Sequence, residues 1–286
     1  MNKPTAYVLA GDGLNCEAEA TFGFAKAGFD ARIVHVRDVL SGKIPLDRDV
    51  IHFPGGFLDG DDLGSAKALA SRAVSAKING KALLEHLRQY VSDGGILYGA
   101  CNGFQFLVKT GLLAGFDGPI AQNATLTFNH SGKFEMRWVK LKARQSPCPA
   151  FSGMDTLELP VRHGEGRFSV YEPFGKIRPE NGEKTLLRLF NDKQVILQYA
   201  NAQGADTQHF PENPNGSLQA IAGICDKTGR IFGLMPHPEG YLRFENHPLW
   251  HRQADALLRE DKAVPTEGQG MRVFQNLARY VEEKIR

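Results

Sequence analysis

The stretch Gly95-Ile-Leu-Tyr-Gly-Ala-Cys101-Asn-Gly-Phe-Gln105 constrains this chain more than any other. A short apolar run meets a cysteine with a glycine two places to either side, and a helical pattern follows at once. That spacing predicts a sharp strand-to-helix elbow, because the turn leaves no room for side chains at Gly99 and Gly103. A cysteine seated there feels the positive end of the helix dipole, which favours thiolate over thiol. Cys101 is therefore a candidate nucleophile. The competing reading is a small buried residue packed between glycines, and groups elsewhere must decide between the two.

Around the elbow, strand-like and helical patterns alternate. Tyr7 to Ala10 reads as a buried strand, Gly11-Asp-Gly-Leu as a turn, and Asn15 as the N-cap of a helix running to Ala27 and closed by Gly28. Ala31 to Val36 and Asp49 to Phe53 read as further strands, the latter ending in Pro54-Gly55-Gly56. Helical patterns cover much of Leu63 to Ser75 and Lys81 to Ser92, and Ile96 to Tyr98 supplies a fourth strand. This order predicts an α/β fold, a mostly parallel central sheet flanked by helices, with ligands at the carboxyl ends of the strands. Beyond Gly111 the texture changes: Phe134 to Trp138 and Thr156 to Val161 alternate apolar and polar residues, and Val195 to Tyr199 is a short apolar run. These predict an added antiparallel portion. Gly216 to Cys225 and Arg230 to Met235 flank the hairpin signal Asp226-Lys-Thr-Gly229. Loops are expected near Asn181-Gly-Glu and from Gln203 to Gly216, and Met271 to Ile285 returns to helix with Val273, Leu277, Tyr280 and Val281 on one face. With no repeat or low-complexity linker, residues 1–286 read as one domain, 242–270 as a possible insertion and 271–286 as a C-terminal helix.

Composition narrows the function. A formal charge of +2, from 34 Lys+Arg against 32 Asp+Glu, argues against an extended nucleic-acid or membrane footprint. The first strand begins too early for a signal peptide and no apolar run spans a bilayer, so a soluble, cytoplasmic protein is expected. The four cysteines are scattered with no Cys-x-x-Cys pair, and the nine histidines include no His-Glu-x-x-His, so no metal site is expected.

A thiolate nucleophile needs a base and a group that orients it. Pro236-His237-Pro238-Glu239 places His237 and Glu239 two apart on a segment stiffened by proline, where side chains two apart share a face. By itself the segment reads rather as a proline-rich turn with a solvated His and Glu. Pro54-Gly55-Gly56-Phe57 lets backbone N–H groups approach a ligand, and an amide there with that of Asn102 would form an oxyanion pocket; by itself it is a plain turn. The joint occurrence of the three separates the readings.

With the elbow Gly99 to Gln105 and the segment His237 to Glu239, the chain resembles the class I glutamine amidotransferases, of flavodoxin-like fold. Within them it is most similar to the glutaminase subunits of phosphoribosylformylglycinamidine synthases, through Asn15-Cys16-Glu17, Phe53 to Phe57 with Gly60-Asp-Asp-Leu63, His163-Gly-Glu-Gly-Arg167 and Asn213-Pro-Asn-Gly-Ser217. The resemblance implies that Cys101 attacks the side-chain amide of glutamine, His237 shuttles protons and Glu239 orients His237. It further implies an oxyanion pocket at Gly56 and Asn102, with Gln105, Gly164 and Glu165 holding the substrate amino acid. Ammonia would pass to a synthetase subunit, with a small bridging subunit in the assembly. ATP and magnesium would sit on that partner and no cofactor on this chain, which carries no Gly-x-x-x-x-Gly-Lys loop. A cysteine hydrolase of the same fold and a non-catalytic regulatory subunit are the alternatives. The chain departs from the family pattern at Leu58-Asp59, at Gly240 and in the longer stretch 242–270; Cys16 reads as structural, and His163 and Arg167 read equally as loop residues.

Overall fold

The computed structural model describes residues 3–116, 118, 121–170 and 179–285. In chain order its elements are β1 (Thr5–Ala10), α1 (Glu17–Lys26), β2 (Asp30–His35), α2 (Val36–Leu40), β3 (Val50–Phe53), α3 (Lys67–Ser75), β4 (Lys77–Ile78), β5 (Lys81–Ala82), α4 (Leu83–Ser92), β6 (Ile96–Ala100) and α5 (Asn102–Lys109). There follow β7 (Thr125–Thr127), β8 (Glu135–Ala143), β9 (Thr156–His163), β10 (Arg167–Ser169), α6 (Pro179–Asn191), β11 (Val195–Ala200), β12 (Ile221–Cys225), β13 (Ile231–Leu234), α7 (Trp250–Arg259) and α8 (Met271–Ile285).

Among the described residues, nine strands form one sheet in the order β2-β1-β3-β6-β13-β12-β11-β8-β9. From β2 to β13 the neighbours run parallel. From β13 to β9 they run antiparallel, starting with the β12–β13 hairpin that Asp226 to Gly229 closes. The inner parallel strands β1, β3, β6 and β13 are buried on both faces, as helix-covered strands must be, while the edge strand β2 is partly exposed. On one face Leu9, Ile51 and Leu97 pack with α3, α4 and α5; on the other Val8, Val50 and Tyr98 pack with Phe24 of α1 and Phe274 of α8. Val273, Leu277 and Val281 of α8 are buried and Tyr280 partly so, in line with the expected apolar stripe.

Several expected boundaries move. Helix α1 is capped at Cys16 rather than Asn15, without a side-chain cap bond; the Asn15 side chain instead accepts from the Cys16 thiol at 3.2 Å. Helix α3 starts at Lys67, after Ala66 in the left-handed region (φ 58°), and Lys81–Ala82 pairs with Lys77–Ile78 before α4 begins. The expected loop near Asn181 is the first part of α6. There Leu189 is buried in the core with Leu186 and Phe190 against it, so burial outweighs the local breaking tendency of Asn181-Gly182. The 242–270 stretch leaves and rejoins the body at one place: Gly268 N–H donates to Leu242 O (3.1 Å) and Gly270 N–H to Tyr241 O (2.9 Å). Its helix α7 has no fully buried residue. No helix of the described residues is long and apolar enough to cross a membrane.

Candidate active site

Three neighbouring strands deliver the site. Gly99 of β6 lies beside Phe53 of β3 on one side and Gly233 of β13 on the other. The segments leaving their carboxyl ends, Pro54 to Gly56, Cys101 to Gly103 and Met235 to Glu239, therefore emerge at one level although they are far apart in sequence.

The elbow is present. Cys101 has φ 49° and ψ −104°, an unfavourable conformation for a residue with a side chain. Its N–H donates to Leu234 O (2.8 Å) and its carbonyl accepts from Gln105 N–H (3.0 Å), which locks the strained residue between β13 and the first turn of α5. A Cβ on Gly103 would stand 1.9 Å from the carbonyl oxygen of Phe53, so α5 packs on β3 only because residue 103 is glycine. No side chain caps α5, and Asn102, its first residue, has an N–H with no intrahelical acceptor.

His237 is extended and donates its backbone N–H to Pro160 O (2.9 Å), while its ring Nδ1 donates to Glu239 Oε1 at 2.5 Å. Both side chains are buried. Burial opposes a charge on the imidazole, but the carboxylate of Glu239 and the thiol of Cys101 outweigh it and hold His237 well above the ordinary histidine range. Burial likewise opposes the charge of Glu239, and the neighbouring His237 outweighs it to hold the carboxyl below its usual range. With Nδ1 tied to Glu239, the ring's second nitrogen, Nε2, is buried without a hydrogen-bond partner and is left for the thiol. The Cys101 thiol itself lies 3.7 Å from Arg162 O. Gly55 makes the seat of the imidazole: a Cβ there would lie 2.6 Å from His237 Cε1.

Gly56 has φ 144°, and the flanking bonds Asn15 N–H to Gly55 O (3.3 Å) and Phe57 N–H to Gly13 O (2.7 Å) bracket its pairing with Leu14. In that pattern the central residue's own N–H turns away from its partner strand, which leaves the Gly56 amide, like those of the first turn of α5 beginning with Asn102, unclaimed by secondary structure.

Gln105 and Glu165 come together: the Gln105 amide donates to the backbone oxygen of Glu165 at 2.5 Å and accepts from Asn102 Nδ2 at 3.2 Å. The Glu165 carboxylate points elsewhere, accepting from Ser65 N–H (3.1 Å) and lying 3.6 Å from Lys109 Nζ. Gly164 accepts from Asn129 N–H at 2.9 Å. His163 and Arg167 end β9 and begin β10 rather than lying in a loop. The turn between them is held by Asn129, whose Oδ1 lies 3.1 Å from His163 Nδ1 and accepts from Gly166 N–H (2.9 Å), and by Asn215, which donates to Gly166 O (2.7 Å). Thus the two motifs His163 to Arg167 and Asn213 to Ser217 brace one another.

Sequence reasoning missed Asn129 and the place of Cys16. The Cys16 thiol is 3.8 Å from His237 Nδ1, and burial pushes it up from the ordinary cysteine range. The ligand-type atoms of Cys16, His237 and Glu239 lie within 4.8 Å of one another. The His237–Glu239 bond already engages two of them, so the set is a hydrogen-bonded pair with a thiol beside it. The resemblance at Asn15-Cys16-Glu17 was the available signal for Cys16.

Two buried neutral histidines make the fold acid-sensitive. Burial pulls His52 down to about 4 and His163 to about 3. Below the unfolded value near 6.5 the unfolded chain takes up protons that these two native rings refuse, so their stabilisation is present above pH 6.5 and lost as pH falls. His237, raised in the native state, works the other way and offsets part of this loss. Denaturant titrations are expected to give a stability about 3 kcal/mol lower at pH 5 than at pH 7; equal stability at the two values contradicts the neutral burial of both rings.

A buried thiol on a strained strand-to-helix elbow, with a histidine–carboxylate pair beside it and free amides at the helix start, is the architecture of α/β proteins built for thiol-dependent acyl transfer. The chain belongs to the CobB/CobQ-like glutamine amidotransferase domain family, whose model matches residues 3–281. It is 37% identical over 281 residues to the phosphoribosylformylglycinamidine synthase subunit PurQ of Methanococcus maripaludis, covering 97% of each chain. To the subunit of the same name from Dehalococcoides mccartyi it is 37% identical over 287 residues, covering 99% of this chain and 100% of the other. A chain in the solved structure of PurLQS from Thermotoga maritima is similar, with a TM-score of 0.65 and 26% identity, covering 98% of this chain and 100% of that one.

Proposed function

We propose that this chain is the glutaminase subunit of a phosphoribosylformylglycinamidine synthase in purine biosynthesis. It splits glutamine into glutamate and ammonia and delivers the ammonia to a separate synthetase subunit. The observation that carries the reading is the convergence, at three adjacent strand ends, of Cys101, the His237–Glu239 pair and the unclaimed amides of Gly56 and Asn102, in a chain that matches PurQ subunits over nearly its whole length.

In this reading Cys101 Sγ attacks the side-chain carbonyl carbon of glutamine, and the two amides receive the developing oxyanion. His237, charged and held by Glu239, gives its proton to the departing ammonia, leaving a thioester on Cys101. The neutral ring then takes a proton from water, whose oxygen displaces the thiol and releases glutamate. Gln105 and the Gly164-Glu165 turn hold the amino-acid end through their amide and backbone groups, the carboxylate of Glu165 being engaged by Ser65 and Lys109. The synthetase subunit and a small bridging subunit are the partners, ATP and magnesium belong to the synthetase, and the assembly works in the cytoplasm.

Exposure to 6-diazo-5-oxo-norleucine, a reactive glutamine analogue, followed by mass spectrometry tests the assignment with and without the synthetase subunit. One adduct, on Cys101, is expected in the assembly. No adduct under either condition, or one on another cysteine, rejects it.

A further inference from the structure

Beneath the His237–Glu239 pair, on the face of the sheet covered by α1 and α8, lie two polar side chains that the reaction as described does not use. His52 of β3 and Tyr98 of β6 sit directly opposite one another in register, their rings 4.2 Å apart, and both are fully buried. His52 Nε2, Tyr98 Oη and Glu239 Oε2 are buried and none has a hydrogen-bond partner among the described residues. Buried polar groups are ordinarily satisfied by protein or by internal water, and an orphaned oxygen of Glu239 with two orphaned groups on the neighbouring strands β3 and β6 suits one shared water.

Their donor and acceptor roles can be worked out. His52 Nδ1 lies 3.2 Å from the backbone oxygen of Tyr98, and a carbonyl only accepts, so Nδ1 carries the proton. The ring is neutral, so Nε2 is a bare acceptor. Glu239 Oε2 is an acceptor too. Tyr98 keeps its proton, since burial pushes it well above the ordinary tyrosine range, and its hydroxyl is a donor. The set thus contains two acceptors and one donor, which cannot satisfy the acceptors directly. A single water molecule closes it: the water donates one hydrogen to Glu239 Oε2 and one to His52 Nε2, and accepts the hydrogen of Tyr98 Oη. Three hydrogen bonds are what a structural buried water makes. Gly55, three residues beyond His52 on the segment leaving β3, seats the His237 ring that Glu239 holds, and the carboxylate of Glu239 acts electrostatically on both His52 and Tyr98.

We infer that His52 and Tyr98 are positioning residues for Glu239, holding its Oε2 through one internal water while His237 holds its Oε1. The inference rests on the reading of Cys101, His237 and Glu239 as the catalytic set. The water's hydrogen bond favours the charged carboxylate and fixes its plane, so that Oε1 stays aimed at His237 Nδ1. Tyr98 polarises the water toward Glu239. His52 takes the water's other hydrogen and so sets its orientation. The titratable groups around Glu239 include His237 on its own turn, Cys16 at the start of α1, His52 of β3 and Tyr98 of β6, and the groove that Glu239 lines also carries Glu19, Arg137, Arg162 and Arg243.

Tyr98→Phe removes the hydroxyl and keeps the ring, and is measured in the assembled synthase. Glutamine-dependent kcat/KM is expected to fall several-fold at neutral pH, and its acid limb to move up by about half a pH unit, because the charged form of Glu239 loses support. Ammonia-dependent synthesis is expected to be unchanged, which reports that the variant folds and assembles. A purely structural hydroxyl would lower the melting temperature without moving the acid limb, and that result overturns the inference. A crystal structure of the unsubstituted protein, at a resolution that places internal waters, gives a second reading. One water within about 3.2 Å of Glu239 Oε2, His52 Nε2 and Tyr98 Oη is expected, and its absence also overturns the inference. Should Cys101→Ala keep glutamine-dependent activity, the catalytic reading fails instead, whatever the acid limb does.

Discussion

Replacing Cys101 by alanine is expected to lower glutamine-dependent synthesis by the assembled synthase by about 10⁴-fold or more, the scale seen when a nucleophile acting as part of a triad is removed. The substitution itself is mild for the fold: the site chain shrinks by one sulfur atom, while the strained backbone, the Leu234 and Gln105 bonds and the packing of α5 all remain. Ammonia supplied in the buffer is expected to support synthesis at the original rate, because the chemistry that consumes ammonia belongs to the partner. The two assays must diverge. Parallel loss of both points to failed assembly, and parallel retention removes Cys101 from the reaction.

The largest expected effect on stability comes from one methyl group at Gly103. The added carbon would lie 1.9 Å from the carbonyl oxygen of Phe53 and 2.6 Å from its carbonyl carbon. Those are backbone atoms of a central strand paired on both sides, so no rotamer change relieves the overlap, and either β3 or α5 must move. Gly103→Ala is expected to cost about 3–5 kcal/mol, a large part of the stability of an ordinary domain. The comparison is Gly164→Ala, where an added Cβ meets nothing within 4 Å and stability is expected to stay nearly unchanged. Urea midpoints of the two variants decide the matter; a Gly103→Ala loss below about 1 kcal/mol means that helix and strand are not in such close contact.

The features that could be read from sequence are those whose cause is local. Glycine spacing around Cys101 announced the elbow because the steric demand of the turn falls on its immediate neighbours. Asp226 to Gly229 announced the hairpin for the same reason, whereas the extended course expected through Glu239 stops at His237 and gives way to a 3-10 turn over Pro238–Gly240. What could not be read depends on register and strand order. Nothing near Cys16 says that α1 begins beside the ring of a residue at the far end of the chain. A histidine in the apolar run Val50 to Phe53 reads as a core residue until β6 brings Tyr98 opposite it. Nothing local to Glu165 says that its carboxylate faces Lys109, which follows from the side on which α5 passes. The helix at Asn181 was hidden for a related reason: its stability comes from Leu189 reaching a core that local sequence does not display.

The strand that leads into the histidine, β13, is also the seam at which the sheet changes from parallel to antiparallel. It pairs with both β6 and β12, and both it and β12 are made late. During synthesis, therefore, the nucleophile and its elbow leave the ribosome long before the base, and the N-terminal strands order first. A growing or prematurely ended chain that stops short of β13 carries the cysteine but has neither His237 nor Glu239 to arm it. The order of translation thus completes the triad only after most of the sheet has been made, with α7 and α8 still to follow.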